Sequence, residues 1–195
     1  LLRDGIKTIG QLAGCGEDDL IKRYGVIGGR LAHLSRGHDG RPVNPHGNAK
    51  SVSAETTFSR NIKSLSALSG RLWPLCETVA RRLKARNLAA KTVTLKLKTS
   101  GFRILTRSHS LASPTQLAEV LFRSARPLLQ KEADGRAFRL IGIGASGFAD
   151  AADADLPDLL DSRLETYAKI ENAIDSVRRK FGAPAIKKGR SLLGE

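Results

Sequence analysis

Apolar and polar residues alternate through the middle of the chain. Val93, Leu95 and Leu97 are separated by threonine and lysine, which is the period-2 pattern of a strand with one buried and one wet face. Thr99-Ser100-Gly101 suits a turn, because its glycine permits a tight reversal. The segment from Phe102 to Leu111 is therefore predicted to be the second strand of a hairpin.

Further patterns flank this hairpin on both sides. Lys50 to Phe58 is rich in small, hydroxyl and β-branched residues and predicts a strand. Leucines at helical spacing predict a helix from about Leu65, with Pro74 either kinking it or starting a second helix. Ser113-Pro114 is typical of an N-cap followed by proline in the first turn, so another helix is expected to begin there and to stop near Asp134-Gly135.

A last strand is predicted from Phe138 to Phe148, which gives the order strand, helix, strand, strand, helix, strand. This order predicts an α+β fold, with a four-stranded antiparallel sheet, two helices on one face and the other face exposed. A C-terminal helix from Ser162 to Phe181 follows. Its apolar stripe needs a surface, and we expect it to fold back on the domain rather than pair with a second chain or stay partly ordered. The stripe comprises Leu164, Tyr167, Ile170, Ile174, Val177 and Phe181.

The first forty residues are helical and punctuated by glycine. Thr8 is placed to cap a short helix beginning near Ile9, and acidic residues at 17–19 open the next one. A glycine turn then precedes a third helix, whose N-terminal N–H groups can hold an anion. Two interpretations stay open: an ordinary helix-to-helix turn, or a helix-hairpin-helix that grips phosphate. The residues concerned are Gly25, Gly28, Gly29 and Arg30.

Charge narrows the class of partner. The 195-residue chain has a formal net charge of +14 and a pI near 10.4, which favours a polyanion. Nucleic acid is the first candidate, and an anionic membrane surface is the rival. Acidic residues are absent from Thr78 to Ala118, whereas basic residues are frequent there. The exposed sheet face is therefore expected to be cationic.

Other classes of function are disfavoured. Cys15, Cys76 and the scattered histidines make neither a metal-ligand cluster nor a disulfide framework, so a reducing cytosol is expected. No apolar run approaches the ~20 residues that span a bilayer, and no secretory signal opens the chain. The chain starts without methionine and contains none, which indicates a fragment of a longer protein.

Seven motifs together resemble a known family. They are TIGQLA, YGVIGGRL, KSVSAETTF, RLWPLCETVARRL, KTVTLKLKTSGF, TRSHSLASPT and FRLIGIGASGF. Their order and spacing resemble the C-terminal half of Y-family translesion DNA polymerases, most closely the bacterial polymerase IV branch. The resemblance implies a partial thumb with a helix-hairpin-helix over 1–40, a linker over 41–49 and a little-finger (polymerase-associated) domain over 50–148. An acidic loop, a helix and a basic tail occupy 149–195.

The resemblance implies a fragment that grips primer–template DNA by its phosphate backbone during damage bypass. The family's metal-binding carboxylates lie on an N-terminal palm that this chain lacks, so no catalytic residue, metal ligand or cofactor is assigned here. The parent polymerase is expected to use Mg²⁺. The fragment is expected to be a monomer in the bacterial cytoplasm, with no membrane partner.

The expected DNA contacts are cations and hydroxyls, whose bonds to phosphate fix position without reading sequence. By resemblance, the strongest candidates lie on the first and third strands. The full set is Gly25, Gly28, Gly29, Arg30, Lys50, Ser51, Ser53, Thr57, Lys98, Arg103, Arg107, Ser108 and His109. For any single residue the alternative is a surface position that only keeps the domain soluble.

The acidic loop carries Leu156, Leu159 and Leu160 where related polymerases often have a short apolar peptide for the sliding clamp. It lacks that peptide's leading glutamine and closing aromatic residue. We therefore hypothesise a weak clamp contact, against the alternative of a plain acidic linker.

Two other functions stay open. A catalytically inactive Y-family protein acting as an accessory factor in mutagenic repair would share this C-terminal half, and only sequence upstream of Leu1 separates the two. An RNA-recognition module has the same sheet-and-two-helix layout but stacks bases on strand aromatics. Aromatic residues are only 5% of this chain, and those on the predicted strands, Phe58, Phe102, Phe138 and Phe148, lie near the strand ends, which disfavours that module.

Overall fold

The computed structural model describes residues 1–43, 47, 49–156 and 163–194. Contacts divide the chain into two compact units, Leu1–Gly47 and Asn48–Glu195. Within the described residues, no helix has both the length and the apolar character needed to cross a bilayer.

The first unit is built from short helices around a small core. Its helices are α1 (Ile9–Ala13), α2 (Glu17–Tyr24) and α3 (Val26–Ser35). As predicted, Thr8 caps α1: its hydroxyl accepts from the Gln11 N–H at 3.1 Å, and the Gln11 side chain accepts from the Thr8 N–H at 3.2 Å. Leu12, Leu20 and Ala32 are buried where the helices meet.

The second unit contains a sheet and three longer helices. Its elements are β1 (Ser51–Ile62), α4 (Leu65–Lys84), β2 (Leu88–Thr99), β3 (Ile104–Thr115), α5 (Ala118–Glu132), β4 (Phe138–Asp150) and α6 (Arg163–Phe181). All strand pairs are antiparallel, in the order β1-β4-β2-β3. α4 and α5 pack on one face of this sheet, which confirms the predicted α+β fold.

The core lies between the sheet and these two helices. Val93, Leu95 and Leu97 of β2 point into it and are at most 1% exposed, as their alternation predicts. On the helix side, Trp73 of α4 meets Phe122 of α5 edge-to-face, with ring centroids 5.4 Å apart. Because alternate strand residues point in opposite directions, this packing leaves the intervening residues on the other face.

Pro74 does not divide α4. The helix is continuous from Leu65 to Lys84, so the alternative of a second helix starting at Pro74 is wrong. The Thr78 hydroxyl donates to the Pro74 carbonyl at 2.9 Å within the same helix. Packing of the buried face of α4 against the sheet outweighs the backbone hydrogen bond that proline removes.

The predicted start of α5 at Ser113-Pro114 is also wrong. β3 continues to Thr115, which pairs with Ala90 of β2, and α5 begins only at Ala118. β3 is an edge strand, where proline's missing N–H costs little. The side chain of Leu117, the residue before α5, supplies no cap.

A carboxylate from α6 caps α5 instead. Glu171 accepts hydrogen bonds from the N–H groups of Ala118 at 3.1 Å and Glu119 at 3.0 Å, and Lys84 lies 3.4 Å from the same carboxylate. Glu171 is only 6% exposed. A negative charge at a helix N-terminus is favourable, because it meets both unpaired N–H donors and the positive end of the helix dipole. Two residues before α5, the Gln116 N–H donates to Asp155 at 2.8 Å.

α6 folds back on the domain, as expected, but its apolar stripe is only partly covered. Ile170 and Phe181 of that stripe are 44% and 66% exposed. Ion pairs join the helix to α4, with Asp175 at 2.8 Å from Lys84 and Arg178 at 3.1 Å from Glu77. Ion pairs therefore hold α6 in addition to the partly buried residues of its stripe.

The chain beyond α6 continues over α4 and α5. Lys188 and Arg190 lie over the ring of Trp73, at 4.6 and 4.9 Å from its centre. Arg190 also pairs with Glu119 of α5 at 2.9 Å. The tail thus ties both core helices together from outside.

Replacing Glu171 tests this cap. Glu171→Ala removes the acceptor of two buried N–H groups and leaves Lys84 short of a partner, so we expect the free energy of unfolding to fall by about 1–3 kcal/mol. Urea titration of the whole chain measures it. Glu165→Ala, on the exposed side of α6, is the matched control and should leave the midpoint unchanged. Equal midpoints for the two variants would contradict the capping role.

Candidate nucleic-acid interface

The sheet face opposite α4 and α5 is open. The pairing of residues between strands shows which side chains lie on this open face. Directly paired residues of neighbouring strands point the same way. Four rows therefore cross the open face in the strand order β1, β4, β2, β3. They are Ser51–Ser146–Thr92–Ser110, Ser53–Gly144–Thr94–Ser108, Glu55–Gly142–Lys96–Thr106 and Thr57–Leu140–Lys98–Ile104.

Hydroxyl groups dominate these rows. Nine of the sixteen positions are serine or threonine and only two are lysine. The face is therefore polar, whereas the sequence had led us to expect a strongly cationic one. Thr94 and Ser108 share a hydrogen bond of 2.9 Å across β2 and β3. Hydroxyls both donate and accept, so such a face can meet phosphate oxygens with neutral donors.

Glycine keeps the middle of the face low. A Cβ on Gly142 would lie 2.8 Å from the Glu55 Cβ, closer than side-chain packing tolerates. Above Gly142, Lys96 reaches across β4 and pairs with Glu55 at 2.8 Å. This acid was not anticipated, because it lies on β1, far in sequence from the acid-free stretch.

Several expected contacts lie on the open face. Ser51, Ser53 and Thr57 on β1 are exposed there, as is Ser108 on β3. Lys98 is half-buried in the fourth row, and Lys50 is exposed just before β1. Sequence reasoning passed over the open-face hydroxyls of Thr92, Thr94, Thr106, Ser110 and Ser146, although strand alternation alone could have indicated those on β2.

Arg107 and His109 lie on the other side of the sheet. They pair with Leu95 and Val93, whose side chains enter the core, so both point toward the helix side of edge strand β3. There Arg107 forms an ion pair of 2.8 Å with Glu132 at the end of α5. Because side chains alternate between the two faces along β3, Arg107 and His109 lie on the opposite face from Ser108.

The β2–β3 turn gathers the cations at one end of the face. Phe102 occupies a left-handed conformation with φ of 65° and is 59% exposed. Lys98 and Arg139 lie over its ring, 4.9 and 4.0 Å from the centre. The neighbouring Arg103 is exposed, and its N–H donates to the Thr99 hydroxyl at 3.2 Å.

Other cations of the acid-free stretch serve the fold. Arg82 donates to the Ser53 carbonyl at the free edge of β1, and Lys84 binds the acids of α6. Both lie on α4, on the helix side. The open face is therefore less charged than the number of basic residues in the acid-free stretch indicated.

In the first unit, the candidate hairpin joins α2 to α3. Gly25 has φ of 64°, a conformation that favours glycine, and its carbonyl accepts from the Gly28 N–H at 2.8 Å. Gly28 packs directly on α2, since a Cβ there would lie 1.9 Å from the Leu20 carbonyl oxygen. Gly29 lies against Ile21, and Arg30 is exposed. Packing thus explains Gly28 without a ligand, whereas a Cβ on Gly29 would meet the Ile21 side chain at an ordinary 3.4 Å.

No group of three or more His, Cys, Asp or Glu residues in the described part of the chain is arranged to hold a metal ion. Cys15 and Cys76 are both free thiols. Burial raises the pKa of the Cys76 thiol well above its ordinary value, which keeps that thiol unreactive.

Fold and open face together define an α+β domain that presents a hydroxyl-rich sheet face to its surroundings. Residues 49–157 match the C-terminal domain of the impB/mucB/samB family. The chain belongs to this family, which is that of the Y-family DNA polymerases.

Two relatives are particularly similar in sequence. DNA polymerase IV 1 of Mesorhizobium japonicum is 51% identical over 189 residues, which cover 97% of this chain and 43% of the relative. DNA polymerase IV of Brucella melitensis biotype 1 is 49% identical over 186 residues, 95% of this chain and 42% of the relative. The chain thus spans less than half the length of these curated relatives.

A solved Y-family DNA polymerase chimera shares the fold, with a TM-score of 0.53 and 17% identity. The similarity covers 77% of this chain and 43% of the chimera.

Gly142→Ala and Gly144→Ala form a matched pair of variants that tests the close packing of β4 against β1. The added Cβ clashes with Glu55 at position 142, whereas at 144 its nearest neighbour is 3.7 Å away. We expect Gly142→Ala to lower the free energy of unfolding by about 1–3 kcal/mol and Gly144→Ala to be nearly neutral. Thermal or urea unfolding decides, and the reverse ranking would refute the packing described.

Proposed function

We propose that this chain is the DNA-binding C-terminal part of a translesion DNA polymerase. It holds primer–template DNA by the phosphate backbone while the longer protein copies past damage. The observation that carries the proposal is the open face, a sheet surface of hydroxyl rows with two lysines. Membership of the Y-family and the polymerase IV relatives support it.

The geometry suits backbone contact rather than base reading. Direct readout requires side chains that project into a groove with a fixed donor and acceptor pattern. The open face has short serine and threonine side chains and, in its centre, Gly142 and Gly144. Phosphate oxygens are repeated acceptors on any duplex, so hydroxyl rows can bind them whatever the sequence, including a distorted template.

The cations stand mostly at the ends of this surface. Lys50 lies before β1, while Lys98, Arg103 and Arg139 surround the β2–β3 turn. We assign to them the salt-dependent part of the affinity, since each phosphate they neutralise releases condensed counterions. Gly25 and Arg30 of the first unit add an anion site at the start of α3.

Nucleotidyl transfer is proposed for the longer protein, outside this chain. Such chemistry uses divalent metals held by carboxylates, and Mg²⁺ is the ion we propose. The role proposed for the present residues is to position the duplex.

We also propose a weak contact with a sliding clamp. Leu156 is 58% exposed and directly follows Asp155, which is fixed to the start of α5. Leu159 and Leu160 lie outside the described residues. Three leucines close together offer an apolar anchor of the kind that peptide grooves accept.

Salt titration of DNA binding tests the main proposal. If four to six phosphates are neutralised, log K for labelled duplex should fall against log salt with a slope of about −4 to −5.

Glu55→Gln should tighten binding and steepen the slope by about 1, because it removes an acid from the face and frees Lys96. Lys98→Ala should weaken binding to all sequences alike. Glu165→Gln on α6 is the control for charge alone. A flat salt response, or equal effects of Glu55→Gln and Glu165→Gln, would count against the open face.

The clamp contact has a separate test. The double variant Leu159→Ala/Leu160→Ala should bind the cognate clamp measurably less well than the natural chain, because its apolar anchor is gone. Surface plasmon resonance with immobilised clamp provides the measurement. No binding by either protein, or equal binding by both, ends this proposal, whereas DNA binding should be the same for both.

A further inference from the structure

A second basic surface lies on the helix side of the domain. The C-terminal turns of α4 and α6 enclose a groove of about 550 Å³. Arg81 and Lys84 line one wall, and Arg178 and Arg179 line the other. The groove exists because α6 docks on α4, so it belongs to the C-terminal segment as much as to the sheet domain.

Some of these cations hold the walls together and others are available. Lys84 pairs with Asp175, the acid that lines the groove, at 2.8 Å, and Arg178 pairs with Glu77 at 3.1 Å. Arg81 makes no side-chain hydrogen bond or ion pair with any described residue. The guanidinium of Arg179 donates only to the neutral Ser176 hydroxyl, at 3.0 Å, among the same residues. Two guanidinium groups, one from each wall, thus lack a counter-charge.

The chemistry of the groove suits phosphate. Guanidinium groups match phosphate oxygens with paired N–H donors and hold them more specifically than lysine does. Ala85 and Ala183 complete the lining and leave space beside the two arginines. A volume of this size admits a sugar and base together with their phosphate, whereas a single carboxylate side chain fills little of it.

The adjoining chain extends the basic character. From Arg178 to Arg190 the sequence has six basic residues and no acidic one, although Arg178 and Arg190 are paired with Glu77 and Glu119. A polymer with a charge at every unit uses such a path better than an isolated anion does.

We propose that this groove binds the phosphate backbone of a second nucleic-acid segment, on the side of the domain opposite the open face. The proposal rests on the DNA-binding function proposed above and adds a second site to it. Arg81 and Arg179 are the residues that contact phosphate, while Glu171, Asp175 and Glu77 position the wall that α6 provides.

The test compares two double variants of the full chain that lose equal charge. Arg81→Ala/Arg179→Ala removes the two available guanidinium groups. Lys131→Ala/Lys169→Ala removes two helix-side cations outside the groove. Fluorescence anisotropy with labelled oligo(dT) should give a salt slope shallower by about 1.4 for the arginine variant, at about 0.7 per contact on single strands, and little change for the lysine variant. Circular dichroism should show that both variants fold.

Chemical-shift mapping locates the site independently. Added oligo(dT) should move the amide signals of Ala85 and Ala183 as well as signals of the open face. If the natural chain binds DNA but these two signals stay fixed and the two double variants behave alike, the groove is not a nucleic-acid site. If the natural chain binds no DNA, the proposed function fails together with this inference. A poly-glutamate peptide that moves Ala85 and Ala183 at the same concentration as oligo(dT) would overturn the assignment to nucleic acid in favour of an acidic protein segment.

Discussion

A buried carboxylate joins the three long helices of the second unit. Glu171 satisfies two N–H donors at the start of α5, where the local sequence offers no cap, and it lies beside Lys84 at the end of α4. A buried charge is stable only when several donors surround it, so α5, α4 and α6 are each positioned by the same group. Together with the Lys84–Asp175 and Arg178–Glu77 ion pairs, this contact docks α6 and so forms the basic groove.

The open face shows how a basic protein can present a mostly neutral surface. The net charge of the chain is high, yet hydroxyl side chains fill most positions of the open face, and Lys96 there is paired with Glu55. Cations gather instead around Phe102 and on the helix side. This division separates two tasks: short neutral donors shape the contact, and charge at the periphery supplies long-range attraction.

The sequence was sufficient for the order of strands and helices, because Val93, Leu95 and Leu97 alternate regularly and the flanking leucines have helical spacing. Motifs identified the family. Local patterns failed where distant residues decide: Glu171 lies more than fifty residues from the helix it caps, so the start of α5 was misplaced. The residues of the open face were also hard to predict from local patterns. Only strand register shows that Glu55 and Lys96 lie on the same face and that Arg107 lies on the opposite one.

The tail's stacking on Trp73 gives the molecule a built-in optical probe. Trp73 is the only tryptophan of the chain, and it is fully buried beneath Lys188 and Arg190. Its indole N–H has no hydrogen-bond partner among the described residues, so its emission maximum depends on how dry that site is. Water that enters when the tail lifts shifts the emission to longer wavelength while the sheet stays folded. Intrinsic fluorescence of the unmodified protein, compared with far-UV circular dichroism, therefore distinguishes the two events without any attached dye: detachment of the C-terminal segment shifts the emission alone, whereas global unfolding changes both signals.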